Sequence, residues 1–232
     1  MHNKVRKLSD AVFSGCSALN KIDLPESIES IGEGCFAGTD LKSIKLPINI
    51  QKIRFACFNE CKNLKRVILS ENVQVIDGQA FSFCDLEEIT LPNSLTEIDE
   101  HAFAECKKLR TITIPDNVTK VGGYSFMRCD DLISITFGKG VKVIGNKALK
   151  DSKKLKEITI LGDVKEIGAG AFAGTSIEKL VLPKSVKPYL VNLSKNTKVF
   201  HQPFNYKNGD DIELVKFTIA QDCKNLKEVV FR

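Results

Sequence analysis

One phrase recurs along almost the whole chain, and repetition constrains architecture before any local propensity does. Its clearest copy runs from Ile98 through Ala102, Phe103, Cys106, Leu109, Ile112 and Ile114 to Pro115 and Val118. The opening apolar residue returns at Leu8, Ile31, Ile53, Ile76, Ile98, Val121, Ile144 and Ile167, in steps of 23, 22, 23, 22, 23, 23 and 23 residues. Five positions on stands an aromatic: Phe13, Phe36, Phe58, Phe81, Phe103, Phe126 and Phe172, with Leu149 replacing it once. A small residue follows at Cys16, Thr39, Cys61, Cys84, Cys106, Cys129, Ser152 and Thr175. An L-x-x-I-x-L phrase comes next, then often a proline, as at Pro25, Pro47, Pro92, Pro115 and Pro183.

Each piece has a physical reading. I-x-L is a strand with one face buried, and a following proline cannot donate to a ladder and so ends it. The closing V-x-x-I is a second short extended piece. The compact G-x-x-A-F-x-x-C segment is expected to form one short helical or 3₁₀ turn. A unit this small cannot bury its own apolar face. It becomes stable by stacking on copies of itself, which makes a solenoid. With strands about 4.8 Å apart, the matched copies would span roughly 40 Å.

The phrase resembles the BspA-like leucine-rich repeat, whose pattern is I-x-x-x-A-F-x-x-C-x-x-L-x-x-I-x-L-P-x-x-V. The resemblance covers about residues 8–190, and a degenerate copy with Val215, Cys223, Leu226, Val229 and Phe231 in register closes the chain. It implies a β-rich α/β solenoid: a right-handed leucine-rich repeat superhelix with a concave parallel sheet and short helical or 3₁₀ turns. Residues 1–190 would form the solenoid. Residues 191–232 would add an irregular C-terminal loop and the closing repeat to the same domain. The resemblance also implies a surface or secreted protein linked to adhesion.

Composition narrows the function classes. Net charge is only +5, with Lys and Glu interspersed. No basic run with interleaved aromatics points to nucleic acid. No stretch approaches the 18 apolar residues of a membrane span. The start, Met1 to Lys7, lacks the apolar core of a signal peptide. The repeat begins at once, so a fragment of a longer protein or a very economically capped array is expected. Residues 188–214 break the rhythm and hold Tyr189, Phe200, Phe204 and Tyr206. They read as a remodelled repeat or as a protruding binding loop.

Six of the eight cysteines share one repeat slot that Thr or Ser fills elsewhere, and Cys35 and Cys57 share another. The first slot wants a small residue that tolerates burial, which free cysteine does. Reduced, buried thiols are expected, although neighbouring same-slot pairs lie within disulfide range. No C-x-x-C pair exists and the three histidines are scattered, so neither zinc nor another cofactor is expected. Gly32-Glu33-Gly34 and Gly168-Ala169-Gly170 occupy one repeat slot and are explained by the repeat, not by a dinucleotide loop. No nucleophile, base and acid can be assembled, so no catalysis is expected. Asn117 and Asn192 open glycosylation sequons.

The residues flanking the central Ile of L-x-x-I-x-L point away from the core. Stacked, they tile the concave sheet in two columns. The first reads Lys21, Ser43, Arg66, Glu88, Thr111, Ser134, Glu157 and Lys179. The second reads Asp23, Lys45, Ile68, Thr90, Thr113, Thr136, Thr159 and Val181. A Thr ladder is ordinary strand chemistry. It is also a flat hydrogen-bonding strip suited to a protein, host-surface, extracellular-matrix or glycan ligand. Two functions follow: an adhesion or recognition module at the cell surface, or a cytoplasmic interaction scaffold.

Overall fold

A computed structural model describes residues 4–183, 187–188 and 219–231. The chain winds as a parallel β-solenoid, and among the described residues there is no helix. We number the coils 1 to 8 from Leu8, Ile31, Ile53, Ile76, Ile98, Val121, Ile144 and Ile167. A ninth coil is represented by residues 219–231. The repeating unit has three parts: an arch carrying the Phe column, an L-x-x-I-x-L segment and a two-residue V-x-x-I strand.

The arch is the most regular part. Rings of Phe13, Phe36, Phe58, Phe81, Phe103 and Phe126 stack with centroids 5.2–5.4 Å apart and planes within 14°. Six of the seven Phe in this column, all but Phe13, are fully buried. Alternate arch N–H groups donate to the next coil. Phe58 N–H donates to Ala80 O at 2.8 Å and Phe81 N–H to Ala102 O at 2.8 Å. Phe172 N–H donates to Ile219 O at 2.7 Å, which seats coil 9 directly on coil 8.

This lateral pairing is why the arch is not a helix or 3₁₀ turn, as its compactness suggested. The intervening N–H groups turn back three residues, as Cys84 N–H does to Phe81 O, but never in succession. Two positions per coil adopt left-handed backbone. The first is occupied by Ala11, Gly34, Ala56, Gln79, His101, Tyr124, Lys147 and Gly170, the second by residues such as Glu60, Phe83, Glu105 and Arg128. A non-glycine residue there costs roughly 1–2 kcal/mol, so stacking must impose the conformation. At Tyr124 the imposed position carries a surface stack: His101 lies 4.7 Å away on one face and Lys147 Nζ is 5.3 Å from the ring centroid.

The small-residue slot is not merely small. Cys84 Sγ donates to Phe58 O at 3.0 Å, Cys106 to Phe81 O at 3.1 Å and Cys129 to Phe103 O at 3.3 Å. Ser152 Oγ continues the series to Phe126 O at 2.9 Å. Thr39 and Thr175 donate to the Phe carbonyl of their own coil. The slot therefore selects a buried donor, and Cys, Ser and Thr each supply one. All eight cysteines are free thiols, seven of them buried and Cys16 exposed. Burial pushes the Cys35 thiol up to about 11 and raises those of Cys84, Cys106 and Cys129. A hydrogen bond with Cys84 lowers the Cys61 thiol, and the raised, protonated thiols are inert.

The V-x-x-I strands run in two groups. Lys7–Leu8 pairs with Ser30–Ile31. Lys52–Ile53, Val75–Ile76, Glu97–Ile98, Lys120–Val121, Val143–Ile144, Glu166–Ile167 and Lys187–Pro188 form one seven-stranded sheet. In it Gly145 approaches coil 6 so closely that a Cβ would lie 2.4 Å from Gly123 N.

The L-x-x-I-x-L face is broken into pieces. Ser43–Lys45 pairs with Arg66–Ile68. Thr111–Ile114, Ser134–Phe137 and Glu157–Ile160 form a second sheet. Lys179–Leu182 pairs with Glu228–Phe231, again placing coil 9 on coil 8. In coil 4 only the bridge Arg66 to Glu88 remains. The cause is a count. Three positions separate the small residue from the following Leu in Cys61 to Leu64, but two do in Thr39 to Leu41, Cys84 to Leu86 and Thr175 to Ile177. Each shortened turn shifts its strand against the coil before it, and each break falls there. At coil 4 the ladder to coil 5 is lost as well.

Tyr189, Phe200, Phe204, Tyr206, Val215 and the sequon at Asn192 lie outside the described residues.

Candidate functional site

The residues expected on the binding face all lie on the L-x-x-I-x-L side, but in separate groups. Lys21 sits on coil 1, outside any ladder, 3.6 Å from Asp23. Ser43 pairs in register with Arg66, and Lys45 with Ile68. Thr111, Ser134 and Glu157 form one row across three strands, and Thr113, Thr136 and Thr159 form the other. Lys179 pairs with Glu228, and their side chains form an ion pair at 2.9 Å. The column of four successive threonines is thus three plus one, because Thr90 belongs to the broken coil.

Where the face breaks, a cleft of about 730 Å³ opens between coils 3 and 4. Arg66, Ile68, Glu88 and Thr90 line it together with Leu69, Glu71, Leu91, Pro92, Asn93 and Ser94. Coils 3 and 4 stay joined at both ends of the opening. Glu87 N–H donates to Lys65 O at 3.1 Å on one side, and Ser94 Oγ donates to Val73 O at 2.7 Å on the other. Between these ties the coils part, and Ile68 is left 50% exposed. Ile89 and Leu91, at 9% and 7%, are less sealed than their counterparts Ile112 and Ile114, at 4% and 0%. Arg66 and Glu88 approach to 3.7 Å across the cleft mouth, both exposed. Glu71 is exposed and makes no ion pair among the described residues.

The side-chain pattern did not mark Glu71, Asn93 or Ser94 as part of a site. The signal was the short turn Cys84-Asp85-Leu86, which displaces everything after it by one residue. Among the described residues no group of three metal-ligating side chains exists, and no helix is long and apolar enough to cross a membrane. The cleft presents hydrogen-bonding groups, one apolar wall and fixed charge.

The comparisons agree with the geometry. The profile described as BspA type Leucine rich repeat region (6 copies) matches residues 1–103 and 74–199, so the chain belongs to the BspA-type leucine-rich repeat family. Its fold is similar to that of a leucine-rich repeat protein from Bacteroides ovatus, with TM-score 0.55 and 24% identity over 100% of this chain and 67% of that one. A T. pallidum leucine-rich repeat protein gives TM-score 0.55 and 26% identity over 73% and 70% of the two chains. A leucine-rich cell surface protein from Faecalibacterium prausnitzii gives TM-score 0.51 and 21% identity over 98% and 69%. No curated protein matches this chain.

Proposed function

We infer that the chain is a non-catalytic recognition module that binds a protein partner, at a host surface or in extracellular matrix, through its L-x-x-I-x-L face. The observation that carries this is the face itself. It is a rigidly backed surface of outward Thr, Ser, Arg, Lys and Glu, opened at coil 4 into a cleft with an apolar wall. Extended surfaces of this kind are what stacked repeats offer to partners. The cell surface relative from Faecalibacterium prausnitzii supports a surface location, and adhesion is what the resemblance to the family implies. Residues 1–190 and the closing repeat act as one domain in this reading, and no cofactor takes part.

The test is direct. The 232-residue chain and its Arg66→Ala, Thr90→Ala, Thr113→Ala triple variant are compared for binding to immobilised extracellular-matrix proteins, glycans and intact host cells. A loss of at least about ten-fold in affinity, equivalent to about 1.4 kcal/mol, is expected. Unchanged binding to every ligand that wild type binds would sink the reading.

The eight free thiols favour a second reading, an intracellular scaffold. Protease shaving of intact source cells separates the two. Peptides released before lysis support the surface module, and peptides appearing only after lysis support the scaffold.

A further inference from the structure

Two residues that line the cleft between coils 3 and 4 have main chain without a lateral partner among the described residues. Neither Thr90 nor Leu91 makes a backbone hydrogen bond to a neighbouring coil, whereas their counterparts Thr113 and Ile114 are held in a four-residue ladder. Open N–H and C=O groups on an extended segment are what another extended chain satisfies with its own backbone. The walls add side-chain selectivity. Ile68, half-exposed, gives an apolar contact. Arg66 and Glu88 offset each other at 3.7 Å. Glu71 is then the uncompensated charge of the lining, so the cleft carries one net negative charge.

We propose that this cleft binds an extended segment of a partner polypeptide. Its main chain hydrogen-bonds to Thr90 and Leu91, an apolar side chain rests on Ile68, and a lysine or arginine faces Glu71. This rests on the reading of the strand face as a recognition surface and names its ligand class. The one-residue deficit in the Cys84-Asp85-Leu86 turn is what creates the slot. Restoring that residue closes it without altering any lining side chain.

The probe is a fluorescein-labelled, acetyl- and amide-capped hexapeptide alternating Val and Lys. Its comparators are the same peptide N-methylated at alternate residues, a Val-Glu version and a neutral oligosaccharide. Binding to the full chain is followed by anisotropy. The Val-Lys peptide binds, and the N-methylated and Val-Glu forms bind at least ten-fold more weakly. Insertion of Asn after Asp85, which recreates the spacing of Cys61-Lys62-Asn63-Leu64, abolishes binding while thermal unfolding shows an intact fold. Glu71→Gln, which leaves the backbone alone, weakens binding about two- to five-fold, as an exposed charge pair would. The proposal is overturned if the insertion variant binds the peptide like wild type, if N-methylation has no effect, if only the oligosaccharide binds, or if the Val-Lys peptide does not bind at all. A natural ligand lost by the Arg66, Thr90, Thr113 variant but kept by the insertion variant would end this proposal and leave the recognition face standing. A ligand kept by both would end the broader reading.

Discussion

The arch and the L-x-x-I-x-L face are built by the same coils, yet one is continuous and the other is not. On the arch, every neighbouring pair of coils from 1 to 9 is joined by lateral backbone bonds, down to Gly174 N–H on Gln221 O at 2.8 Å. On the strand face the sheet divides at coil 4 and again before coil 8. The difference traces to residue counts. From the opening apolar residue to the small-residue slot there are eight positions in every coil, as from Ile76 to Cys84 and Ile98 to Cys106. From that slot to the next Leu there are two or three. Coils of equal length stay in register, and an unequal turn shifts whatever follows it. A solenoid can thus keep its core unbroken while opening its surface at one chosen place.

Several changes would break or sharpen this contrast. Phe103→Ala removes one ring from the unbroken stack and is expected to cost about 3–5 kcal/mol. Thr113→Ala on the face should cost within about 0.5 kcal/mol, and a chemical denaturation midpoint distinguishes them. Deleting Asp130 turns Cys129-Asp130-Asp131-Leu132 into the short form found at coil 4. It should open the ladder between Thr111–Ile114 and Ser134–Phe137, costing about 2–4 kcal/mol from the lost pairs. Hydrogen exchange should then rise at Ile135 and Phe137 while the arch amide of Phe126 stays protected.

Smaller effects probe the arch itself. Cys106→Ser keeps a donor for Phe81 O and should cost within about 1 kcal/mol, whereas Cys106→Ala loses it and costs about 1–2 kcal/mol. Thiol titration of the native protein should find one fast-reacting group, Cys16, with the other seven released only by denaturant. The smallest effect lies at the exposed turns. Lys154, hydrogen-bonded to Asp131 at 2.7 Å, together with the charges of Lys108 and Arg110, holds the Asp131 carboxyl below its usual value. A lowered carboxylate stabilises the fold above its ordinary value, 3.8, and loses that contribution as pH falls below it. Asp131→Asn should therefore flatten the acid limb of a pH–stability curve by about 0.3–0.5 kcal/mol.

Much of the fold was legible because burial is periodic. The Phe column, the inward Ile and Leu of each strand and the prolines that end strands, as Pro115 follows Thr111–Ile114, all stand where the repeat predicts them. The small-residue slot was legible only in part. Its alternation of Cys, Ser and Thr, never Ala or Val, already carried the sign of a required donor. The site was less legible still. Glu88, Ile89, Thr90 and Leu91 read like any other strand of the series, so the side-chain pattern predicts a continuous sheet through coil 4. The absence of a single residue between Cys84 and Leu86 is what overrides that pattern.

The sequence by itself determined the repeat, the inward columns and the parallel stacking, because each depends on which residues recur at a fixed spacing. Only the tertiary structure decided which backbone groups find partners. His101 and Tyr124 adopt left-handed backbone that neither residue prefers, since their N–H groups must reach Gly123 O and Asn146 O on the next coil. Thr90 loses its ladder to coil 3 although it resembles Thr113, since the turn before it is one residue shorter than the turn of coil 3. Pairing between coils depends on the relative lengths of adjacent chain segments, and no residue carries that information alone.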